Sequence, residues 1–165
     1  MRRLIVMRHA KSSWADPTQR DLDRPLNKRG LKSARAIGAW LKRQGYRPEL
    51  ALVSSARRAQ ATWSGGVGKL GAAETRYLPE LYHAGPETML DALRRAPDVG
   101  CLLMLGHQPG IGPFARRLLA DPPADADFDK FPTAATAVID FAEAWSEIGW
   151  ESGKLVGFVV PRALE

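Results

Sequence analysis

Cys101-Leu102-Leu103-Met104-Leu105-Gly106-His107-Gln108-Pro109-Gly110-Ile111 is the stretch whose reading decides the fold. Its apolar run reads as a fully buried strand over 101–105, the Gly-His-Gln-Pro-Gly segment as a loop, and 111–119 as a helix. The same grammar holds upstream. Residues 4–7 are apolar and break at Arg8, as a buried strand feeding a polar loop does. Asn27 is placed to cap a helix over 28–44, in which Leu31, Ala34, Ile37 and Leu41 share one face and Gly45 follows the last turn. A second strand is expected near 50–54 and a helix over 56–63, ended by the glycines at 65, 66, 68 and 71. Strand character returns at 75–78, and Pro86 opens a helix with Met89, Leu90 and Leu93 on its apolar stripe. Downstream, the Asp-Pro-rich segment 121–130 reads as a solvated loop, and two further strands, 135–142 and 154–160, are joined through Gly149 and Gly153. Strands alternating with helices imply an α/β fold around a largely parallel sheet, with room for antiparallel terminal strands.

The 165 residues are expected to form one domain. Apolar residues make up 45% and charged residues 25%, the mix of a soluble globular protein, and no apolar run approaches a membrane span. Arg8 and His9 interrupt the N-terminal apolar run too early for a signal peptide, so a cytoplasmic protein is expected. The single cysteine, Cys101, excludes an intramolecular disulfide and any multi-cysteine metal site, and its apolar setting suits an inert thiol. Charge is unevenly spread. Residues 1–63 hold 15 Lys and Arg against 4 Asp and Glu, whereas residues 64–165 hold 9 against 14. Such asymmetry implies either an anionic partner or simply a solvated basic face.

Ligands of open α/β sheets bind beyond the carboxyl ends of the strands. His9 and His107 both occupy that position, and His83 follows the strand expected to end near Leu78. A histidine in such a loop is more often structural than catalytic when it stands alone. Here it does not. Arg8-His9-Ala10-Lys11-Ser12-Ser13-Trp14, then Ser54-Ser55-Ala56-Arg57-Arg58-Ala59-Gln60-Ala61-Thr62, then Gly106-His107 all fall just past expected strand ends.

Together these segments resemble the histidine phosphatase superfamily and, within it, the short phosphohistidine phosphatases of the SixA type, over nearly the whole chain. Ala10 stands where the superfamily usually has glycine, a variant associated with the SixA-like branch, and Asp23-Arg24-Pro25-Leu26-Asn27-Lys28-Arg29-Gly30 resembles that branch as well. The resemblance implies a three-layer α/β/α, phosphoglycerate-mutase-like fold without a large cap insertion. It makes His9 the nucleophile, Arg8 and Arg58 the phosphate-binding arginines, His107 the second pocket histidine and Ser12 a phosphate contact. Arg57 is off register for that role. Many relatives have an asparagine where this chain has Ala15. Glu80 lies where many members carry an acidic proton donor, with His83 as an alternative donor or pocket-lining residue. Neither a metal nor a cofactor is implied.

The chemistry suits these residue types. A phosphoryl dianion needs convergent donors, and arginines offer forked, charge-assisted hydrogen bonds to its oxygens. Positioned cations stabilise the charge that develops during in-line displacement. Neighbouring arginine charges also disfavour protonation of His9 and so keep its lone pair available. The expected activity is a metal-independent phosphohydrolase with a phosphohistidine intermediate, acting on a phosphohistidine-bearing protein. A small phosphate ester as substrate, or a phosphate-dependent binding module with weak turnover, remain as alternatives. Only about twenty residues separate Glu80 from Cys101, which leaves little chain for a lid and favours an open pocket and a protein substrate.

Other signals are weaker. The glycine spacing of residues 66–71 follows an expected helix and lacks the acidic partner of a dinucleotide loop. Asp125, Asp127 and Asp129 lack the glycine and bidentate glutamate of a calcium loop. The arginine pairs at 2–3, 94–95 and 116–117 lie on different elements without interleaved aromatics, so neither a nucleic acid nor a membrane is expected as partner. Trp14 is placed to border the site, and the other tryptophans suit packing.

Overall fold

The computed structural model describes residues 1–70 and 74–165. Six strands, β1 (Arg2–Arg8), β2 (Leu50–Ser54), β3 (Glu74–Leu78), β4 (Cys101–Gly106), β5 (Thr136–Phe141) and β6 (Lys154–Val159), form one sheet in the order β3-β2-β4-β1-β5-β6. The first four in that order run parallel, while β5 is antiparallel to β1 and β6 to β5. Among the described residues five α-helices accompany them: α1 (Lys28–Gln44), α2 (Arg57–Gly65), α3 (Pro86–Arg94), α4 (Ile111–Leu118) and α5 (Ala126–Lys130).

The pleat sorts the apolar strand residues into two cores. Leu4, Val6, Leu102 and Met104 pack with Met89, Leu90 and Leu93 of α3 and Phe114 and Leu118 of α4. Ile5, Met7, Leu103 and Leu105 face the other way, toward Ile37 and Leu41 of α1 and Ala59 and Trp63 of α2. The result is the expected α/β/α sandwich. Each such side chain taken out of water contributes roughly 1.5–3 kcal/mol, which is why β1 and β4 read as unbroken apolar runs. Between β3 and β4 the chain makes only a 3-10 turn (Pro79–Leu81) and the nine residues of α3, so no cap is inserted there.

Two readings of the sequence need correction. Segment 121–130 is not all solvated loop, because Asp125 accepts from the Asp127 and Phe128 N–H groups and starts α5, whose Phe128 is buried against Phe131 and Phe158. Five residues are too few to show a helical period. Leu31 is exposed, while Ala34, Ile37 and Leu41 are buried as expected. The first turn of α1 instead meets the loop after β1 through Gly30, where a Cβ would lie 2.1 Å from the Lys11 carbonyl oxygen. The Asn27 cap forms as expected, accepting from Gly30 N–H, and Gly45 closes the helix at φ 75°. Of the set-aside glycine spacing, Gly71 lies outside the described residues.

The strand register decides where the chemistry sits. Arg8 pairs with Gly106 and Val53 with Leu105, so β1, β2 and β4 end level with one another. β5 runs the other way and brings the segment before it to the same edge, where Ala134 N–H donates to the His9 carbonyl and Arg8 N–H to that of Ala135.

The Gly30 approach is testable in urea. Asn27→Ala is expected to cost about 1 kcal/mol as an ordinary lost cap. Gly30→Ala should cost more, about 1–3 kcal/mol or above, because backbone has to move. An equal or smaller loss at Gly30 would contradict the close approach.

Candidate active site

His9 is the first residue past β1 and is 6% exposed. Its ring Nδ1 lies 2.7 Å from its neighbour's carbonyl, Ala10 O. A carbonyl only accepts, so Nδ1 carries the proton and Nε2 keeps the lone pair. Burial, together with the charges of Arg58, Arg8 and Arg24, pushes the imidazole down to about 4 against the opposing Ala10 bond. The ring is therefore neutral at pH 7. His107 follows β4, with its ring 5.0 Å from that of His9, and its Nε2 is 2.7 Å from the buried Ser54 hydroxyl. Burial first, and then His9 and Arg58, push His107 down to about 3.

Arg58 lies in the first turn of α2 and is 4% exposed. Its guanidinium donates to the Asp21 backbone carbonyl at 2.7 Å and to the Asp21 carboxylate at 2.9 Å. Arg57, one residue earlier, is exposed and, among the described residues, reaches only the Asp23 carbonyl, at 3.5 Å. Thr62 explains the spacing of this segment. One turn after Arg58, its hydroxyl donates to the Arg58 carbonyl at 2.7 Å and accepts from Ala10 N–H at 2.9 Å, tying α2 to the residue beside His9. Arg8 donates to the Phe131 carbonyl at 3.2 Å and, among the described residues, forms no ion pair.

Arg8, His9, Arg58 and His107 line a cavity of about 480 Å³ with Lys11, Ser12, Trp14, Arg24, His83, Gln108, Pro132 and Thr133. Four cations, Arg8, Lys11, Arg24 and Arg58, face it, and no carboxylate is among the described lining residues. Arg8 Nε, Arg58 Nε and His107 Nδ1 are buried without a hydrogen-bond partner, a rare condition in folded proteins. Such a wall suits an acceptor-rich anion.

Arg24 is the member that reading the motifs missed. It is buried, donates to the Ser12 hydroxyl at 2.7 Å and to Asp21 at 3.1 Å, and lies 3.5 Å from the centroid of the exposed Trp14 ring. Asp21 and Tyr82 were missed as well. Partial burial opposes ionisation of Asp21, yet hydrogen bonds from Tyr82, Arg58 and Arg24 outweigh it and hold the carboxyl well below the usual range. Ser12 lines the cavity with its hydroxyl already engaged by Arg24. His83 stands at the mouth, its ring 3.9 Å from that of Tyr82. The structure does not bring Glu80 to the cavity; its carboxylate lies 3.8 Å from Arg95. Ala15 does not line it either. Burial raises the half-buried Cys101 thiol to about 11, far from a nucleophile. Among the described residues, no three His, Cys, Asp or Glu side chains group as metal ligands, and no helix is long and apolar enough to cross a membrane.

Comparison with known proteins bears on family and fold. Residues 4–84 match the family described as the histidine phosphatase superfamily (branch 1). An uncharacterised protein of Mycobacterium tuberculosis is 37% identical over 163 residues, which cover 94% of this chain and 100% of that one. Among solved structures, a protein assigned as the phosphohistidine phosphatase SixA of Nakamurella multipartitia superposes with a TM-score of 0.81 at 29% identity, over 97% of this chain and 96% of that one. A counterpart from Agrobacterium tumefaciens, assigned in the same way, also has a TM-score of 0.81, at 28% identity over 97% and 98% of the two chains. The six-stranded sheet flanked by helices matches the phosphoglycerate-mutase-like fold.

Imidazole NMR tests the electrostatics directly. At pH 7, His9 is expected as the neutral tautomer with its proton on Nδ1, titrating near pH 4 and not near 6.5. Both buried histidines bind protons more readily unfolded than folded, so the stability they permit above pH 6.5 should be lost as pH falls through about 4 for His9 and about 3 for His107. A His9 midpoint near 6.5 would contradict this picture.

Proposed function

This chain belongs to the histidine phosphatase superfamily, and within it we propose a metal-independent phosphohydrolase that forms a phosphohistidine on His9 and acts on phosphohistidine displayed by another protein. One observation carries the reading. The Nδ1 bond to Ala10 O leaves the Nε2 lone pair of His9 as the free nucleophile in a cavity faced by four cations and no carboxylate.

In the first step Nε2 attacks phosphorus, a nitrogen–phosphorus bond forms, and the bond to the leaving group breaks with its electron pair going to the departing atom. Arg8 and Arg58 hold the equatorial oxygens, with His107 donating from a ring nitrogen, and Arg24 adds a third guanidinium. Because these groups are already positioned and partly dry, they stabilise the transition state without reorganising. In the second step water attacks the phosphohistidine, the electron pair returns to Nε2, and inorganic phosphate leaves. The side chains supply the positive charge that a metal supplies elsewhere. Glu80 is turned toward Arg95, so the proton donor we assign to the leaving group is His83, which lines the cavity. A phosphoimidazole protonated on its other nitrogen leaves as a neutral ring and makes a small demand on any donor.

Access supports a protein substrate. Trp14 at the rim is 76% exposed, and nothing inserted between β3 and β4 roofs the opening. The relatives named as phosphohistidine phosphatases point the same way. The cavity volume also admits a small phosphate ester, so the two substrate classes are assayed side by side.

Phosphate release from an aryl phosphate is expected to fall at least about a thousandfold in His9→Ala, roughly 4 kcal/mol of barrier, and to persist with chelator. Undiminished release in the variant would refute the nucleophile assignment, and loss with chelator the metal independence. Arg58→Ala should cost on the order of 2–4 kcal/mol in transition-state stabilisation, and Arg57→Ala much less. For substrate class, a phosphohistidine protein, free phosphohistidine, a sugar phosphate and 3-phosphoglycerate are compared. A preference above about tenfold in kcat/KM, ~1.4 kcal/mol, for either small ester would overturn the protein-substrate reading.

A further inference from the structure

Beside the catalytic cavity lies a second hollow of about 220 Å³ that shares Lys11, Pro132 and Thr133 with it and is bounded further on by Arg29, Ser33 and Arg162. Arg29, Ser33 and Pro161 lead in turn into a third hollow of about 390 Å³, joined there by Lys28 and Lys32. The three hollows form one track, and among the described residues lining it Glu165 alone is acidic. Glu165 lies 3.9 Å from Arg29 with both side chains exposed, a pairing that neutralises little. Among the described residues, Lys11, Lys28 and Lys32 make no ion pair.

The placement of these cations runs against local electrostatics. Lys28, Arg29 and Lys32 occupy the first turns of α1, which hold no acidic residue, at the end where the helix dipole already concentrates positive charge. A helix optimised only for its own stability would carry Asp or Glu there. What the arrangement offers instead is a helix N-terminus and three cations on a row of hollows that adjoins the catalytic cavity.

We propose that this track docks an acidic segment of the protein substrate, next in sequence to the phosphohistidine that enters the cavity. The proposal rests on the phosphohistidine phosphatase reading and extends it to the partner's chemistry. Opposite charge steers encounter and sets register more than it adds affinity, so the track selects which phosphohistidines are reached. Among the described residues, neither the second nor the third hollow has an aromatic lining residue, which disfavours a single-stranded nucleic acid held by base stacking.

The test uses two chemically phosphorylated histidine peptides of equal length, one flanked by Asp and Glu and the other by Asn and Gln. Wild type is expected to favour the acidic peptide about tenfold in kcat/KM, mainly through KM, with the preference shrinking as salt rises. Lys28→Glu combined with Lys32→Glu should abolish that preference while hydrolysis of the amide-flanked peptide and of an aryl phosphate stays within about twofold. A wild type indifferent to the flank, or a double variant that keeps the preference, would overturn the proposal. Binding of the unphosphorylated acidic peptide, followed by fluorescence anisotropy, requires no turnover. Binding that is lost in the double variant supports the track even if no phosphohistidine is hydrolysed, in which case the phosphatase reading fails by itself. A single-stranded oligonucleotide that binds more tightly than the acidic peptide would assign the track to nucleic acid and overturn the docking proposal.

Discussion

Like charges resist being gathered, and the site depends on how that resistance is met. At 4 Å two cations near a protein surface repel by on the order of 4 kcal/mol. Asp21 stands between two of the three guanidiniums, accepting from Arg24 on one carboxylate oxygen and from Arg58 and Tyr82 on the other. It lies outside the cavity lining, so it holds the arginines in place without presenting negative charge to an incoming anion. Arg8 is held differently, by the Phe131 carbonyl, with no carboxylate partner among the described residues. The cavity thus retains a surplus of positive charge while its walls stay ordered.

The sheet makes this gathering possible. β1 lies between a parallel neighbour, β4, and an antiparallel one, β5. Strands ending level bring His9 and His107 together from nearly a hundred residues apart, and the reversed β5 delivers Pro132 and Thr133 to the same rim. A sheet that stayed parallel throughout would have placed the start of that strand at the opposite edge. The same edge receives the N-terminus of α1, which is why the basic track adjoins the catalytic cavity.

What could be read from residues alone followed their physics. Long apolar runs and capped helices were legible because burial and capping leave local marks, and the boundaries of α1 fall where Asn27 and Gly45 indicated. His9 and His107, singled out by their place after a strand, and Arg8, Arg58 and Ser12, singled out by the family resemblance, do line one cavity. Arg24 was in view within residues 23–30 but carried no role, since its contacts depend on a loop path that no periodicity records. Asp21 and Tyr82 meet across 61 positions and left no spacing to find. The nearest available signal was the Asp-Leu-Asp-Arg-Pro string, acidic and basic residues packed before a proline in a loop that a purely solvated segment has no need to order. Glu80 illustrates the reverse case, a position suggested by likeness whose side chain the local 3-10 turn directs toward Arg95.

The Thr62 hydroxyl, bonded at once to the Arg58 carbonyl and the Ala10 amide, has a dynamic consequence. It makes the helix that carries a guanidinium and the turn that carries the imidazole a single mechanical body, braced from the other side where Gly30 meets Lys11. Thermal opening of either part drags the other along, so the cavity keeps or loses its shape cooperatively. Slow hydrogen exchange at the Ala10 amide would then report the integrity of the whole assembly from one probe.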